Sequence, residues 1–156
     1  MDDLEDLYRE IILDHYRSPR NHGELDPPAH RTEGFNPLCG DEIILTIDVE
    51  GDAIRDLKVT GHGCSISQSS ASLMTGAVKG RSVEQARGTM RAFKRMMTVD
   101  ADGEDDEPVD VRSLGELAAL QGVVKFPVRI KCATLAWNTL DQALLELATA
   151  QAELDG

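Results

Sequence analysis

Three thiols and one carboxylate are the residues of this chain whose types and spacing could do chemistry. Cys39 and Asp41 stand two residues apart in Asn36-Pro37-Leu38-Cys39-Gly40-Asp41, Cys64 closes Gly61-His62-Gly63-Cys64, and Cys132 ends Arg129-Ile130-Lys131-Cys132. If strand alternation runs through Cys39-Gly40-Asp41, both side chains leave the backbone on the same side, with Gly40 adding no bulk between them. A thiolate is both a soft metal ligand and a nucleophile, and a carboxylate beside it suits a metal better than a disulfide. Taken singly, each cysteine reads as a small buried hydrophobe, although Lys131 next to Cys132 argues against deep burial there. No spacing among them makes a CxxC knuckle. Should Cys39, Asp41, Cys64 and Cys132 converge, they form a four-coordinate set of three sulfurs and one oxygen that suits Zn²⁺ and serves hard cations poorly. Four negative charges against two on the metal ask for nearby cations, and Arg129, Lys131 and Lys125 are placed to supply them. Arg129, three residues before Cys132, shares its face on a helix. A carboxylate ligand exchanges more readily than a fourth thiolate, which favours a site built to open over a closed structural one.

The elements that must position these groups follow from periodicity. Leu4, Leu7, Tyr8, Ile11 and Ile12 recur at helical spacing behind acidic Asp2, Asp3, Glu5 and Asp6, giving a helix to about Arg17. Ser18-Pro19 stops it, Pro27-Pro28 keeps the next stretch extended, and a short strand is expected near Arg31 to Phe35. Ile43, Leu45, Ile47 and Val49 alternate as a half-buried strand, Gly51-Asp52 turns, and Ile54 to Thr60 returns with Leu57 and Val59 inward. That return strand delivers Cys64 to the base of the strand opened by Cys39-Gly40-Asp41. Cys64 then starts a helix reaching Gly80, carrying Ile66, Ser70, Leu73 and Ala77, and the positive end of that helix favours a thiolate. Ser82 and Gln85 form a capping box for a helix that buries Met90, Phe93 and Met97 and turns a basic face to solvent. A short helix is expected over Leu114 to Leu120, ended by Gly122. A long helix from about Val128 carries the buried stripe Trp137, Leu140, Leu144 and Leu147, with Cys132 in its first turns. The expected fold class is α+β: an antiparallel sheet of about three strands packed against a set of helices. It forms a single domain over residues 1–156 with an acidic surface loop at about 100–113.

Composition narrows the functions. A chain of 156 residues can bury a real core without staples, and 41% hydrophobic and 28% charged residues are ordinary globular values. No apolar run approaches the roughly 20 residues of a bilayer span, so no membrane is expected. A net charge of −12 disfavours phosphate backbones, so no nucleic acid partner is expected either. The acidic N-terminus lacks a secretory pattern and three cysteines cannot all pair, which points to a cytoplasmic protein with thiols kept for another purpose. His15, His22 and His30 fit no zinc spacing and read as surface or capping residues. Asp100, Asp102 and Glu104 match only the opening of a calcium loop.

Several stretches together resemble the SufU branch of the IscU/NifU-type iron-sulfur assembly proteins. They are Leu7-Tyr8 with Ile12-Leu13-Asp14-His15-Tyr16-Arg17-Ser18-Pro19-Arg20-Asn21, then Asn36 to Asp41, then Gly61 to Ser72, and finally Gly122 with Lys125 to Trp137. Lys131, where the scaffold branch carries histidine, and the long segment between Met97 and Lys125 are both similar to SufU. The resemblance implies an IscU/SufU-like fold, zinc held at Cys39, Asp41, Cys64 and Cys132, and a partner in a pyridoxal-phosphate (PLP) cysteine desulfurase (SufS-like). It further implies that Cys39 accepts the persulfide sulfur, that Arg129 supports activity from beside the site, and that sulfur passes to downstream iron-sulfur assembly proteins. The desulfurase is expected to displace Cys39 from zinc with a ligand of its own. Two alternatives stand beside this sulfurtransferase reading: a scaffold carrying an iron-sulfur cluster on the same thiolates, and a non-catalytic zinc-stabilised interaction module.

Overall fold

The alternating stretch becomes strand β2, Asp41–Glu50, whose Ile43, Leu45 and Ile47 are at most 1% exposed on one face. In this computed structural model, which describes residues 3–102 and 111–155, β2 pairs antiparallel with β1 (His30–Asn36) on one side and β3 (Ala53–His62) on the other. The Gly51-Asp52 turn joins β2 to β3 as expected, with Gly51 at φ 65° and a bulge at Asp48/Val49. Leu57 and Val59 point inward. Register pairs Asn36 with Asp41 and Glu42 with His62, so the β1–β2 turn and the end of β3 meet at one edge of the sheet.

The helices are α1 (Asp3–Arg17), α2 (Ser65–Val78), α3 (Val83–Asp102) and α4 (Pro127–Asp155), with a 3₁₀ segment over Val111–Lys125 before α4. That segment replaces the short helix expected over Leu114 to Leu120. It kinks at Gly115, at φ 60°, and runs through Gly122 without stopping. Of the acidic stretch expected as a loop at 100–113, residues 103–110 lie outside the described residues, α3 continues to Asp102, and the 3₁₀ segment begins at Val111.

α2 is the central helix because its residues are small. Ser67, Ser69, Ser70, Ala71, Ser72 and Thr75 are buried around nearly its whole girth, letting α1, α4 and the sheet approach closely. Each buried hydroxyl needs a partner. Ser70 Oγ donates to Ala133 O at 2.6 Å, Ser67 Oγ to Cys64 O at 3.1 Å, and Ser72 Oγ lies 2.7 Å from His15 Nδ1. His15 is therefore not the surface residue expected from its sequence context. It is 4% exposed between α1 and α2, and burial holds its pKa below the ordinary histidine value. The capping box forms as expected, Ser82 N donating to Gln85 Oε1 and Gln85 N to Ser82 Oγ, both at 3.0 Å. The basic face of α3 is less solvated than expected: Arg87 is half-buried and pairs with Asp141 of α4 at 3.2 Å. Phe93 of α3 stacks on Trp137 of α4 with centroids 4.9 Å apart.

Two contacts fix α4 across β1, and each supports a prediction. At Gly34 a Cβ would fall 2.0 Å from Thr139 Oγ1 and 3.2 Å from Thr139 Cβ, so the helix crosses the strand where only hydrogen fits. Gly34→Ala should push α4 outward and cost about 1–3 kcal/mol of stability, read as a lower urea midpoint at unchanged slope. An unchanged midpoint would show that α4 is not seated at this crossing. Farther along, Glu146 Oε1 meets His30 Nε2 and Thr32 Oγ1, each at 2.7 Å, and Gln142 Nε2 donates to Oε2 at 3.0 Å. The Thr32 bond first, then Gln142 and His30, hold the Glu146 carboxyl at about 2. Because that is below the ordinary value of about 4.3, its stabilisation is complete above that pH and is lost as pH falls toward 2. The side chain is 40% exposed, so screening keeps the contribution under about 1 kcal/mol. Glu146→Gln should be slightly less stable than the parent at pH 7 and converge with it at low pH in parallel urea titrations. A deficit that persists in acid would assign the effect to packing.

Candidate metal centre

The hairpin turn between β1 and β2 is organised by Asn36, whose side chain is buried. Asn36 O accepts from Cys39 N at 3.3 Å and Gly40 N at 2.8 Å, while its Oδ1 accepts from Leu38 N at 3.2 Å. Gly40 takes φ 71°, a left-handed value costly to any residue with a Cβ. Strand alternation therefore does not run through Gly40, and the condition under which Cys39 and Asp41 would leave the backbone on one side is not met. Cys39 sits on the turn and is exposed, whereas Asp41 opens β2 and is fully buried. The two members of the pair occupy different environments, one reachable and one anchored.

Asp41 is anchored through the start of α2. Its Oδ1 accepts the Cys64 amide at 2.8 Å, and Cys64 is the N-cap residue of that helix with no side-chain capping bond of its own. The carboxylate thus satisfies an amide at the helix entry and rests at the positive end of the helix, leaving Oδ2 free to face the thiols. Gly63, at φ 150°, makes room for it: a Cβ there would fall 2.3 Å from Asp41 Oδ1 and 2.8 Å from Ser67 Oγ.

Cys132 arrives from the second turn of α4 and is 1% exposed, against the expectation drawn from Lys131. Successive helical residues point about 100° apart, so an exposed lysine does not predict its neighbour's environment. The Cys132 sulfur lies 3.1 Å from that of Cys39, and Asn36 Nδ2 approaches it at 3.9 Å. The ligand atoms of Cys39, Asp41 and Cys132 all lie within 4.8 Å of one another. Cys64 stands beside this group, with its sulfur 3.8 Å from Asp41 Oδ2. Of the four residues expected as ligands, three converge tightly and the fourth adjoins them through the carboxylate.

Two soft sulfurs and an oxygen, with a third sulfur alongside, match the donors zinc selects. Tetrahedral ligands at about 2.3 Å place two sulfurs about 3.8 Å apart, so a small parting of Cys39 and Cys132 would seat the ion. The electrostatics ask for a cation. Burial pushes the Cys132 thiol well above the ordinary thiol range, and Cys39, Asp41 and Cys64 push it the same way. Metal binding would replace those protons and relieve the crowding of like charges.

Arg129 is exposed on the wall of an apolar groove of 670 Å³, shared with Lys125 and Phe126, with Tyr8 and Ile12 of α1, and with Ser65 and Ile66 directly after Cys64. Lys131 is exposed on α4. Asn36 and Gly63, which shape the site, were not identified as functional from sequence. The Asn36-Pro37 turn pair and the glycine before a helix-capping cysteine were the available signals.

Comparison with known proteins shows the family. The NifU-like N-terminal domain profile matches residues 7–133. The zinc-dependent sulfurtransferase SufU of Bacillus subtilis is 47% identical over 141 residues, covering 90% of this chain and 91% of its own. The iron-sulfur cluster assembly scaffold protein IscU of Streptococcus pyogenes is 42% identical over 148 residues, covering 95% and 89%. A crystal structure from Fervidobacterium islandicum AW-1, described as an iron-sulfur cluster assembly scaffold of the SUF system, superposes with a TM-score of 0.78 at 34% identity, covering 90% of this chain and 98% of that one. The match in sequence extends through all three cysteines and the match in fold through the sheet and its helices: the chain belongs to the NifU-like N-terminal domain family.

Proposed function

We propose that this protein is a zinc-dependent sulfur carrier for iron-sulfur cluster assembly, taking persulfide sulfur onto Cys39 from a PLP-dependent cysteine desulfurase and passing it to downstream assembly proteins. The observation that carries the reading is the unequal exposure within one ligand group: Cys39 is open on a turn while Asp41 and Cys132 are buried. Bound zinc would keep the sulfurs as thiolates at neutral pH. Cys39 is the donor a partner can reach and replace, while Asp41, Cys64 and Cys132 remain. Its thiolate attacks the terminal sulfur of the enzyme persulfide; a bond forms from Cys39 to that sulfur, the enzyme's own S–S bond breaks, and the enzyme leaves as a thiolate.

The surface around the site supports a large protein partner. Phe35, Leu38, Phe126 and Val128 are each at least 60% exposed, and all four lie within six residues of Cys39 or Cys132 in the chain. Exposed large apolar side chains gathered at one place mark an interaction surface. Arg9, Lys125 and Arg129 give the adjoining groove cationic walls, and we assign Arg129 to supporting the transfer from there. The SufU name of the Bacillus relative favours the sulfurtransferase, and the IscU name of the Streptococcus relative favours the second reading, a scaffold holding a cluster on the same thiolates.

The test mixes purified protein, cysteine and a cysteine desulfurase, and follows alanine release and the mass of the Cys39 peptide. Faster alanine production with one added sulfur on Cys39 is the expected result. No stimulation and no added sulfur would leave a zinc-stabilised interaction module. Metal analysis of the purified protein separates carrier from scaffold, since stoichiometric zinc occupies the thiolates a cluster would need.

A further inference from the structure

We infer that Cys132 is a resolving thiol: once Cys39 carries a sulfur, Cys132 expels it as hydrosulfide by closing a disulfide with Cys39. The inference rests on the reading of Cys39 as acceptor, and it concerns the form in which the sulfur leaves.

The geometry selects Cys132 and the atom it attacks. Its sulfur is 3.1 Å from the Cys39 sulfur, so a disulfide at about 2.05 Å needs an approach of about 1 Å. Cys39 stands exposed on a turn, and Cys132 is buried in a turn of α4. Thiol exchange needs the attacking sulfur in line with, and opposite to, the sulfur that leaves. Cys132 meets Cys39 from the buried side, so the outer sulfur of a persulfide on exposed Cys39 projects away from it toward solvent. Attack falls on the inner sulfur and the outer one departs. Asn36 Nδ2, 3.9 Å from the Cys132 sulfur, faces the attacking atom. Cys64 is not a second candidate, because its sulfur lies outside the group within 4.8 Å and is turned to Asp41.

The step balances within the protein. An electron pair from the Cys132 sulfur forms the new Cys39–Cys132 bond as its thiol gives up its proton, the bond from Cys39 to the outer sulfur breaks, and that pair leaves with the outer sulfur of the persulfide anion, which takes up the proton and departs as HS⁻. The two protein sulfurs are oxidised to a disulfide and the sulfane sulfur is reduced to sulfide. A dithiol reductant then reopens the disulfide with two electrons and two protons. While a cation engages the Cys132 sulfur, its lone pair is committed and the persulfide is retained.

The experiment loads Cys39 with sulfur from inorganic polysulfide, independently of any desulfurase, and confirms the position by peptide mass. The zinc-loaded protein is then divided, and one half is treated with a chelator in the absence of thiols. Free sulfide and intact mass are read in both. The expected result is close to one sulfide released per persulfide after chelation, with a product two hydrogens lighter than the reduced protein and a Cys39–Cys132 crosslinked peptide. Cys132→Ser should keep its sulfur after the same treatment, and Cys64→Ser should still release it. A persulfide that survives chelation in both the wild-type protein and Cys64→Ser overturns the inference while leaving Cys39 as acceptor. Equal sulfide release from Cys132→Ser overturns it too. Failure of Cys39 to gain sulfur at all removes the acceptor reading and this inference with it.

Discussion

Cys39→Ala should abolish sulfur acceptance while leaving the fold, and a metal, in place. The side chain is exposed on a turn whose hydrogen bonds are made by the backbone of residues 38–40 and by Asn36, none of which depends on the thiol. Stability should therefore change within about 0.5 kcal/mol. Asp41, Cys64 and Cys132 remain as donors, so zinc should still bind, with lower affinity. The desulfurase rate should fall to its level without this protein, because no other exposed sulfur is available among the described residues. Alanine release, zinc content and the denaturation midpoint together make the result specific. Full stimulation by the variant would remove Cys39 from its assigned role, whatever the metal content.

Gly63→Ala should do the opposite, sparing every ligand and ruining the site. A methyl group at position 63 would fall 2.3 Å from Asp41 Oδ1, and its backbone would have to hold φ 150°, where L-residues are strained. Asp41 is fully buried and must keep the Cys64 amide, so it has no free direction to retreat. Either the carboxylate leaves the thiols or the start of α2 moves with Cys64. Disturbing the group that orients a ligand lowers metal affinity by roughly 10–100-fold, and this change displaces the ligand itself, so at least that loss is expected in a chelator competition. Destabilisation of about 1–3 kcal/mol should accompany it. Wild-type zinc affinity in Gly63→Ala would show that Asp41 is not a ligand.

Much of this arrangement was legible in the chain. The alternation from Ile43 to Val49 and the Gly51-Asp52 turn defined the hairpin, and the hairpin by itself carries Cys64 back to Asp41, since Glu42 pairs with His62. The box at Ser82 and Gln85 and the stripe through Trp137 fixed two helices, because capping and helical periodicity are local signals. What failed to show depended on tertiary contact. His15 looked polar among polar neighbours, and its burial rests on distant partners, the hydroxyl of Ser72, 57 residues away, and the Glu116 carboxylate 3.6 Å from Nε2. Cys132 was judged by Lys131, although the two project in different directions from one helix. Whether alternation ran through Gly40 could not be read locally, and its left-handed backbone is what separates an exposed thiol from a buried carboxylate. Arg129 was placed by helical spacing next to Cys132, and its wall of the groove is built from α1, the 3₁₀ segment and α2, elements no local pattern joins to it.

The approach of Cys39 to Cys132 spans 93 residues of chain, with α4 supplying the far partner. During synthesis the turn and the start of α2 precede α4, and until α4 follows, Cys39, Asp41 and Cys64 lack the fourth ligand, Cys132. Cys132 becomes available only 93 residues after Cys39, and the contact that brings it in is the crossing of α4 over Gly34. Closure of the site around an ion therefore waits for α4. A ribosome stalled before α4 would carry a nascent chain with three donors and without the buried thiolate, holding zinc more weakly than the closed site.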